Sequence, residues 1–294
     1  YEKAAASQAE ACMDIVTKRV GAITGGAGTG KTTVIAALIK AIRKVHGEGT
    51  GVAVIAPTGK ATDRLRDSFR GAGLESVRTA TIHSILARYG WLNDNLTFRR
   101  RGGKKVADFS TVIIDESSMI DLSLMAALFR AIDWSAVQRL LLVGDAAQLP
   151  PIGVGKVYAD VVSYLRRHYP EQLVTLTENL RQLENRVEGK GEGILQLAGA
   201  FINSAVRGDR DETEEESMAR ERLVSRLHEG GEVDTDLRVA YWDDPEHLQD
   251  LLIDTITEDL RNDALADARP AMVWGKTLQK NINAMQILSP VRGD

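Results

Sequence analysis

Short apolar runs alternate with stretches of helical period along the first two thirds of the chain. "VGAIT" (Val20 to Thr24) reads as a strand that stops at a Gly-rich turn. "TTVIAALIKAIRKV" (Thr32 to Val45) then places apolar residues at helical spacing. The alternation repeats with a strand at Gly51 to Thr58, a helix at Lys60 to Phe69, a β-branched strand at Ser110 to Glu116 and a helix at Leu122 to Ile132. Two further strands are predicted at Gln138 to Asp145 and Leu173 to Asn179. Strands alternating with helices imply an α/β fold, a parallel sheet covered by helices on both faces. In such sheets ligands collect at the carboxyl ends of the strands.

The texture changes after residue 181. A helix is predicted over Gly193 to Val206, a polar helix over Ser217 to Leu227 and a strand over Leu237 to Asp244. A helix over Pro245 to Leu260, with Pro in its first turn, and a last strand at Met285 to Pro290 complete the pattern. The pattern implies one domain over 1–182 and a second over 183–294, with no internal repeat.

Composition adds few constraints. Hydrophobic residues make up 44% of 294 and charged residues 27%, enough apolar material for a core. No apolar run reaches the ~18 residues a membrane helix needs, so no membrane partner is expected. The N-terminal stretch "YEKAAASQAEACMDIV" lacks the apolar core of a signal peptide and reads as the start of a trimmed domain. A single cysteine, Cys12, excludes an intrachain disulfide and fits a reducing, cytoplasmic setting. Cys12 itself reads as a small buried hydrophobe. The net charge of −4 argues against duplex DNA binding by bulk positive charge, although a local groove is compatible with it. Five scattered histidines and one cysteine give no zinc site.

The chemistry concentrates where strands stop. "GGAGTGKT" fits G-x-x-x-x-G-K-[ST] between a strand and a helix. Gly25, Gly26, Gly28, Thr29 and Gly30 would turn backbone N–H groups toward phosphate oxygens, and the helix N-terminus adds favourable partial charge. Lys31 would reach the β- and γ-phosphates, Thr32 would place a hydroxyl on Mg²⁺, and Thr33 follows in the helix. The implied ligands are ATP and Mg²⁺. Asp115, ending a buried strand in "VIIDESSMID", is costly there unless it meets a cation, and Glu116 is the candidate general base. Asp121 fits a helix cap.

The ordered set "GGAGTGKTT", "APTGKATDRL", "TIHSIL", "DESSMID", "GDAAQLPPIGVGKV" and "LTENLRQ" resembles the motifs of superfamily 1 DNA helicases of the RecD-like branch. The resemblance runs from about residue 8 to 294, with Ala27 where the family usually has proline and Ser117 where it usually has alanine. It implies P-loop RecA-like domains, ATP hydrolysis and 5′-to-3′ movement on single-stranded DNA, in recombination or repair. It also implies that Gln8 reads the adenine edge, that Gln148 senses the γ-phosphate, and that Arg181 reaches the γ-phosphate from a domain junction. Pro57, Thr58, Gly59 and Lys60 would hold phosphates of the strand, with Thr81 and His83 beside them. His83 fits a structural histidine equally well.

"NLTFRRRGGKKVADFS" (Asn95 to Ser110) is predicted to be a hairpin turning at Gly102 and Gly103, its basic flanks either solvated or touching DNA. The acidic run Asp209 to Ser217 reads as a solvated loop, and Trp91, Trp134, Trp242 and Trp274 read as packing residues. The family's second RecA-like domain carries motifs that do not occur before Asp294, so a partial second domain, slow ATP turnover and no duplex unwinding are expected of this chain. No nuclease constellation is visible, so any nuclease activity would belong to partner subunits of a nuclease–helicase complex. The helicase portion of a conjugative relaxase, and a nucleotide-gated binding subunit, are the alternative readings. A P-loop kinase is a third, but it lacks an acceptor-binding lid.

Overall fold

The computed structural model describes residues 2–179, 193–200, 213–260 and 272–274. The chain divides into two compact units, Tyr1–Arg220 and Glu221–Asp294. The expected boundary near residue 183, the acidic residues 209–212 and the predicted strand over 285–290 lie outside the described residues.

In the first unit the elements run α1 (Glu2–Val16), β1 (Val20–Gly25), α2 (Lys31–His46), β2 (Val52–Ala56), α3 (Gly59–Gly71), β3 (Arg78–Thr81) and α4 (Ile82–Arg88). They continue with β4 (Thr111–Ile114), α5 (Leu122–Ala131), β5 (Arg139–Gly144), α6 (Val157–His168), β6 (Leu173–Leu176) and α7 (Gly193–Ala200). Six strands form one sheet in the order β3-β2-β4-β5-β1-β6, and every pairing is parallel. The α/β parallel-sheet expectation is met.

Strand side chains alternate between two cores, as a pleated sheet covered on both faces requires. Ile23, Val54, Ile113, Leu141 and Val143 pack with α1, α2 and α3. Ala22, Ile55, Ile114, Leu140 and Leu142 pack with α4, α5 and α6. The face formed by α4 to α6 is tied down by Tyr158, whose hydroxyl donates to the Ile23 carbonyl at 2.8 Å. Burial pushes that phenol's pKa well up, so it stays a donor.

The strands stop sooner than the apolar runs imply. β2 ends at Ala56 because Thr58 turns to cap α3, its hydroxyl accepting from the Ala61 N–H at 3.3 Å. β4 ends at Ile114, and the chain turns through Asp115 and a left-handed Glu116. Asp121 is a cap as expected, accepting from the Leu124 N–H at 2.8 Å. Cys12 is half-buried against the α1–α2 side of the sheet, where burial raises its thiol pKa.

The hairpin expected at Gly102–Gly103 is not formed. The reversal occurs earlier: Leu92 and Phe98 pair antiparallel across a turn in which the Asn93 N–H donates to the Thr97 carbonyl at 2.9 Å. Asn93 and Asn95 hold that turn with side-chain bonds to Thr97. Gly103 instead packs flat on the buried Trp91 indole, and Val106 leaves to pair with Ile132. Trp91 is the core residue expected, and Trp274 packs on a small cluster in the second unit. Trp134 is half-exposed but packs edge-on against Phe129, its indole N–H donating to the Phe129 carbonyl at 2.9 Å, while Trp242 is 55% exposed.

The second unit takes in α8 (Glu214–Glu229) from Glu221 onward, an antiparallel pair β7 (Gly231–Asp234) and β8 (Leu237–Val239), and α9 (Pro245–Leu260). α9 has the bounds predicted. Its Ile256 and Leu260 pack with Val273, and Thr257 accepts from the Trp274 indole N–H at 3.1 Å.

A methyl group at Gly103 would lie 2.5 to 2.6 Å from three Trp91 indole atoms, and the ring cannot retreat because its Nε1 donates to the Lys104 carbonyl at 2.7 Å. Gly103→Ala is expected to destabilise the fold by about 1–3 kcal/mol in urea unfolding. Gly71→Ala, where nothing lies within 4 Å, is expected to leave stability almost unchanged.

Candidate functional site

The Gly-rich loop is shaped by close approach and by left-handed backbone. A Cβ at Gly25 would sit 2.6 Å from Thr29 Oγ1 and 3.0 Å from Leu176 Cβ, so β1 must end in glycine. Gly28 and Gly30 have φ of 77° and 81°, which glycine adopts without steric cost. Thr29 is buried and ties the loop by donating to the Gly26 carbonyl at 3.0 Å. Lys31 Nζ donates to the carbonyls of Gly25 and Gly26 at 2.7 and 2.9 Å, which holds the ammonium at the mouth of the loop. No side chain caps α2, so its first N–H groups are free to meet an anion. Gln8, from α1, donates its side-chain N–H to the Thr29 carbonyl at 3.2 Å and so joins this loop.

The carboxylates come from β4, which is separated from β1 by β5. Asp115 is 7% exposed. Burial pushes its carboxyl up to about 6, the Glu116 carboxylate adds to the rise, and the Glu116 N–H and Lys31 oppose it. Glu116 holds φ at 50°, a region uncommon for a residue with a side chain. Its Oε2 is buried with no hydrogen-bond partner, as is Ser118 Oγ. Gln148 follows β5 in a turn in which Asp145 accepts from the N–H groups of Ala147 and Gln148 at 3.0 and 3.2 Å.

These groups line one cleft of about 500 Å³, walled by Ala27, Gly28, Thr29, Gly30, Lys31 and Thr32, with Asp115, Glu116 and Gln148 opposite. The volume is in the range of small-molecule sites. A triphosphate with a hard divalent cation fits the donor set: loop N–H groups and Lys31 for phosphate oxygens, and Thr32 with the buried Asp115 carboxylate and the unpartnered Glu116 Oε2 for the cation. Gly25, Gly26 and Gln8 stand at the loop by the bonds above. Thr33 is exposed and does not line the cleft, and Arg181 lies outside the described residues. Three wall residues have no place in the sequence reading: Ala61, Arg64 and Leu65 of α3. Their i, i+3, i+4 spacing puts them on one helix face, but only the packing of α3 reveals what that face meets.

The remaining candidates gather on the neighbouring strand ends. β2 and β3 pair in parallel with Ala56 opposite Thr81. Pro57, Thr58, Gly59 and Lys60 therefore lie beside Thr81 and His83 along one edge of the sheet. Thr58 and Thr81 both cap helices, accepting from the N–H groups of Ala61 and Ser84 at 3.3 and 3.0 Å. Lys60, Gly59 and His83 are exposed, and the His83 ring leans on Phe98 with centroids 5.9 Å apart. In the basic segment Lys105 is occupied structurally, its ammonium reaching the Arg130 carbonyl and lying 5.7 Å from the Trp91 ring centroid.

The family described as an AAA domain matches residues 8–154. An uncharacterized protein of Methanocaldococcus jannaschii is 33% identical over 227 residues, 72% of this chain and 19% of the relative. The RecBCD enzyme subunit RecD of Mycobacterium tuberculosis is 34% identical over 169 residues, 53% of this chain and 28% of that subunit. The ATP-dependent RecD2 DNA helicase of Deinococcus radiodurans is 35% identical over 151 residues, 50% of this chain and 18% of that protein. The chain spans less than a third of the length of each of these relatives. Among the described residues no helix is long and apolar enough to cross a membrane.

The Asp115 environment generates a test of stability. Its folded value of about 6 lies above the roughly 4 of an unfolded carboxyl, so the fold loses stability as pH rises from about 4 to 6 and does not regain it above. Asp115→Asn mimics the protonated form. Without nucleotide or metal, the variant is expected to unfold like the parent below pH ~4 and to be more stable by about 2–3 kcal/mol at pH 8. Equal stability at pH 8 would show that burial does not strain this carboxylate.

Proposed function

The chain belongs to the AAA-domain family, in its RecD-like superfamily 1 branch, and from that premise we propose that it is the ATP-driven motor portion of a DNA helicase. The observation that carries the reading is the cleft in which Lys31, Thr32, Asp115, Glu116 and Gln148 converge from three strand ends. The loop N–H groups and Lys31 bind the β- and γ-phosphates of ATP, and Gln8 places the base end. Thr32 and Asp115 would hold a magnesium ion. Magnesium, when bound, neutralises charge on the β- and γ-phosphate oxygens. Glu116 takes a proton from water as that water's oxygen bonds to the γ-phosphorus. The bond to the β-phosphate oxygen breaks, leaving ADP and inorganic phosphate.

Gln148, in the turn after β5, lines the cleft with the carboxylates, where a neutral amide would bond either γ-phosphate or water and so register which is present. Arg181 supplies a further cation to the γ-phosphate. The adjoining ends of β2 and β3 carry Pro57, Thr58, Gly59, Lys60, Thr81 and His83, and hold the backbone of single-stranded DNA without reading its bases. Movement 5′ to 3′, service in recombination or repair, partner subunits of a nuclease–helicase complex and a cytoplasmic setting belong to the same proposal. They rest on the RecD-like motifs.

Nucleotide binding and turnover by the full chain, with and without single-stranded DNA, test the reading. Lys31→Ala is expected to weaken ATP–Mg²⁺ binding by tenfold or more, about 1.4 kcal/mol or greater. Glu116→Gln is expected to keep binding and lose about 10²- to 10⁴-fold in turnover. Unchanged nucleotide binding in Lys31→Ala would refute the ATP site. Lys60→Ala is expected to weaken single-strand binding at all sequences and to lower the salt slope of log K by about 0.7. ATP binding with no response to DNA in any variant would favour a nucleotide-gated binding subunit.

A further inference from the structure

We propose that Arg64 is a cation for the terminal phosphate of the nucleotide, supplied in cis by the helix whose first turn borders the strand track. The proposal rests on the reading of the cleft as an ATP site and extends it to a residue outside the motif positions assigned above.

Three observations carry it. Arg64 lines the cleft together with Lys31, Asp115, Glu116 and Gln148. It makes no ion pair among the described residues, whereas Arg66 and Arg70 on the same helix are each held by an aspartate three residues earlier, Asp63 at 2.6 Å and Asp67 at 3.3 Å. α3 is seated firmly, because Ala61, Leu65 and Phe69 are buried against the sheet. Arg64 therefore departs from a fixed backbone, and its long side chain is the adjustable part.

Charge decides what Arg64 is for. The ionisable groups lining the cleft are Lys31 and Arg64 against Asp115 and Glu116. Without Arg64 the wall would be net negative, facing a ligand that stays anionic even with one divalent cation bound. A single lysine does not offset both carboxylates and a triphosphate. Arg64 makes the wall neutral before the metal arrives, and its planar fork matches two phosphate oxygens at once.

Direction of approach selects the terminal phosphate. Gln8 meets the loop at Thr29, on the α1 side. Arg64 comes from α3, which follows β2, and β2 is the neighbour of β4. It thus enters from the side of Asp115 and Glu116, where the transferred phosphoryl group must sit for Glu116 to address its water. α3 begins at Gly59, so Lys60 and Arg64 stand one helical turn apart on the same rod. With α3 fixed by its buried face, a strand held at its first turn and the γ-phosphate held by Arg64 would be gripped by one rigid element.

The experiment compares a non-hydrolysable ATP analogue with ADP, both with Mg²⁺, on the full chain and on Arg64→Gln, Arg64→Lys and Lys31→Ala. Arg64→Gln is expected to weaken the ATP analogue by about tenfold and ADP by less than about twofold. Arg64→Lys is expected to fall between, because it keeps the charge and loses the fork. Lys31→Ala reports on the site itself: if it leaves both affinities intact, the ATP site is wrong. If Lys31→Ala loses binding while Arg64→Gln keeps the ATP-to-ADP ratio of the parent, the site stands and the Arg64 proposal falls. Faster basal turnover in Arg64→Gln at unchanged ATP affinity would also overturn it, showing that Arg64 restrains the Glu116 carboxylate instead. Thermal unfolding of Arg64→Gln guards against a folding defect, and an equal loss of both nucleotides in a well-folded Arg64→Lys would overturn the proposal as well.

Discussion

An acidic side chain buried at the end of a strand is unfavourable in a protein that is only folding, and Asp115 is one. Burial raises its pKa to about 6, and the neighbouring Glu116 carboxylate pushes in the same direction. The surrounding architecture supplies what such a group needs: Lys31 close enough to oppose the shift, Thr32 on the same cleft wall, and a Gly-rich loop whose N–H groups favour anions. The cost falls on the free protein, and a cation beside the carboxylate would relieve it. The surrounding elements can be understood as holding this carboxylate and the loop at a fixed separation.

That separation is set by strand order. β5 lies between β1 and β4, so one strand width of backbone divides the phosphate loop from the carboxylates, and the turn after β5 delivers Gln148 into the gap. The end of β5 is tightly fitted: a Cβ on Gly144 would lie 3.1 Å from the Tyr158 ring and 3.2 Å from the Ser118 backbone N. Tyr158 also holds the Ile23 carbonyl of β1. One buried phenol from α6 thus touches both β1 and β5. The threonines at the ends of β2 and β3 serve two demands at once. Each hydroxyl accepts a helix-capping bond and keeps its own O–H free to donate along that edge. Donors suit a phosphate backbone.

Much of this was legible because the central strands are pure apolar runs. Thr111–Ile114 and Arg139–Gly144 are buried along almost their whole length, and each motif begins where such a run stops. β3 was not legible. "RTAT" is an edge strand with a partly exposed face, so it has neither an apolar run nor an alternation to mark it. The pair Gly102–Gly103 reads as a hairpin turn from sequence, but Gly103 serves close contact with Trp91, a tertiary demand that local turn chemistry cannot express. α6 carries Tyr158, Val162 and Leu165 at helical spacing but follows a Pro- and Gly-rich stretch that hides its start. Gln8 was placed by resemblance alone; the structure puts its side chain at the loop, bonded to the Thr29 carbonyl. Arg64 was invisible, since nothing in "ATDRLRD" distinguishes an arginine paired with aspartate from one turned toward a cleft.

Glu116 carries a further consequence in its backbone. A left-handed φ of 50° on a residue with a side chain costs on the order of 1 kcal/mol, and glycine there would be relaxed. The Glu116 carboxylate therefore stands at a position the chain would prefer to give to a smaller residue. Evolution under pressure for thermal robustness alone would drift away from glutamate at 116, as it would from aspartate at 115. Both unfavourable positions fall in one short loop, so a library screened only for folding would tend to lose its carboxylates first at these two positions.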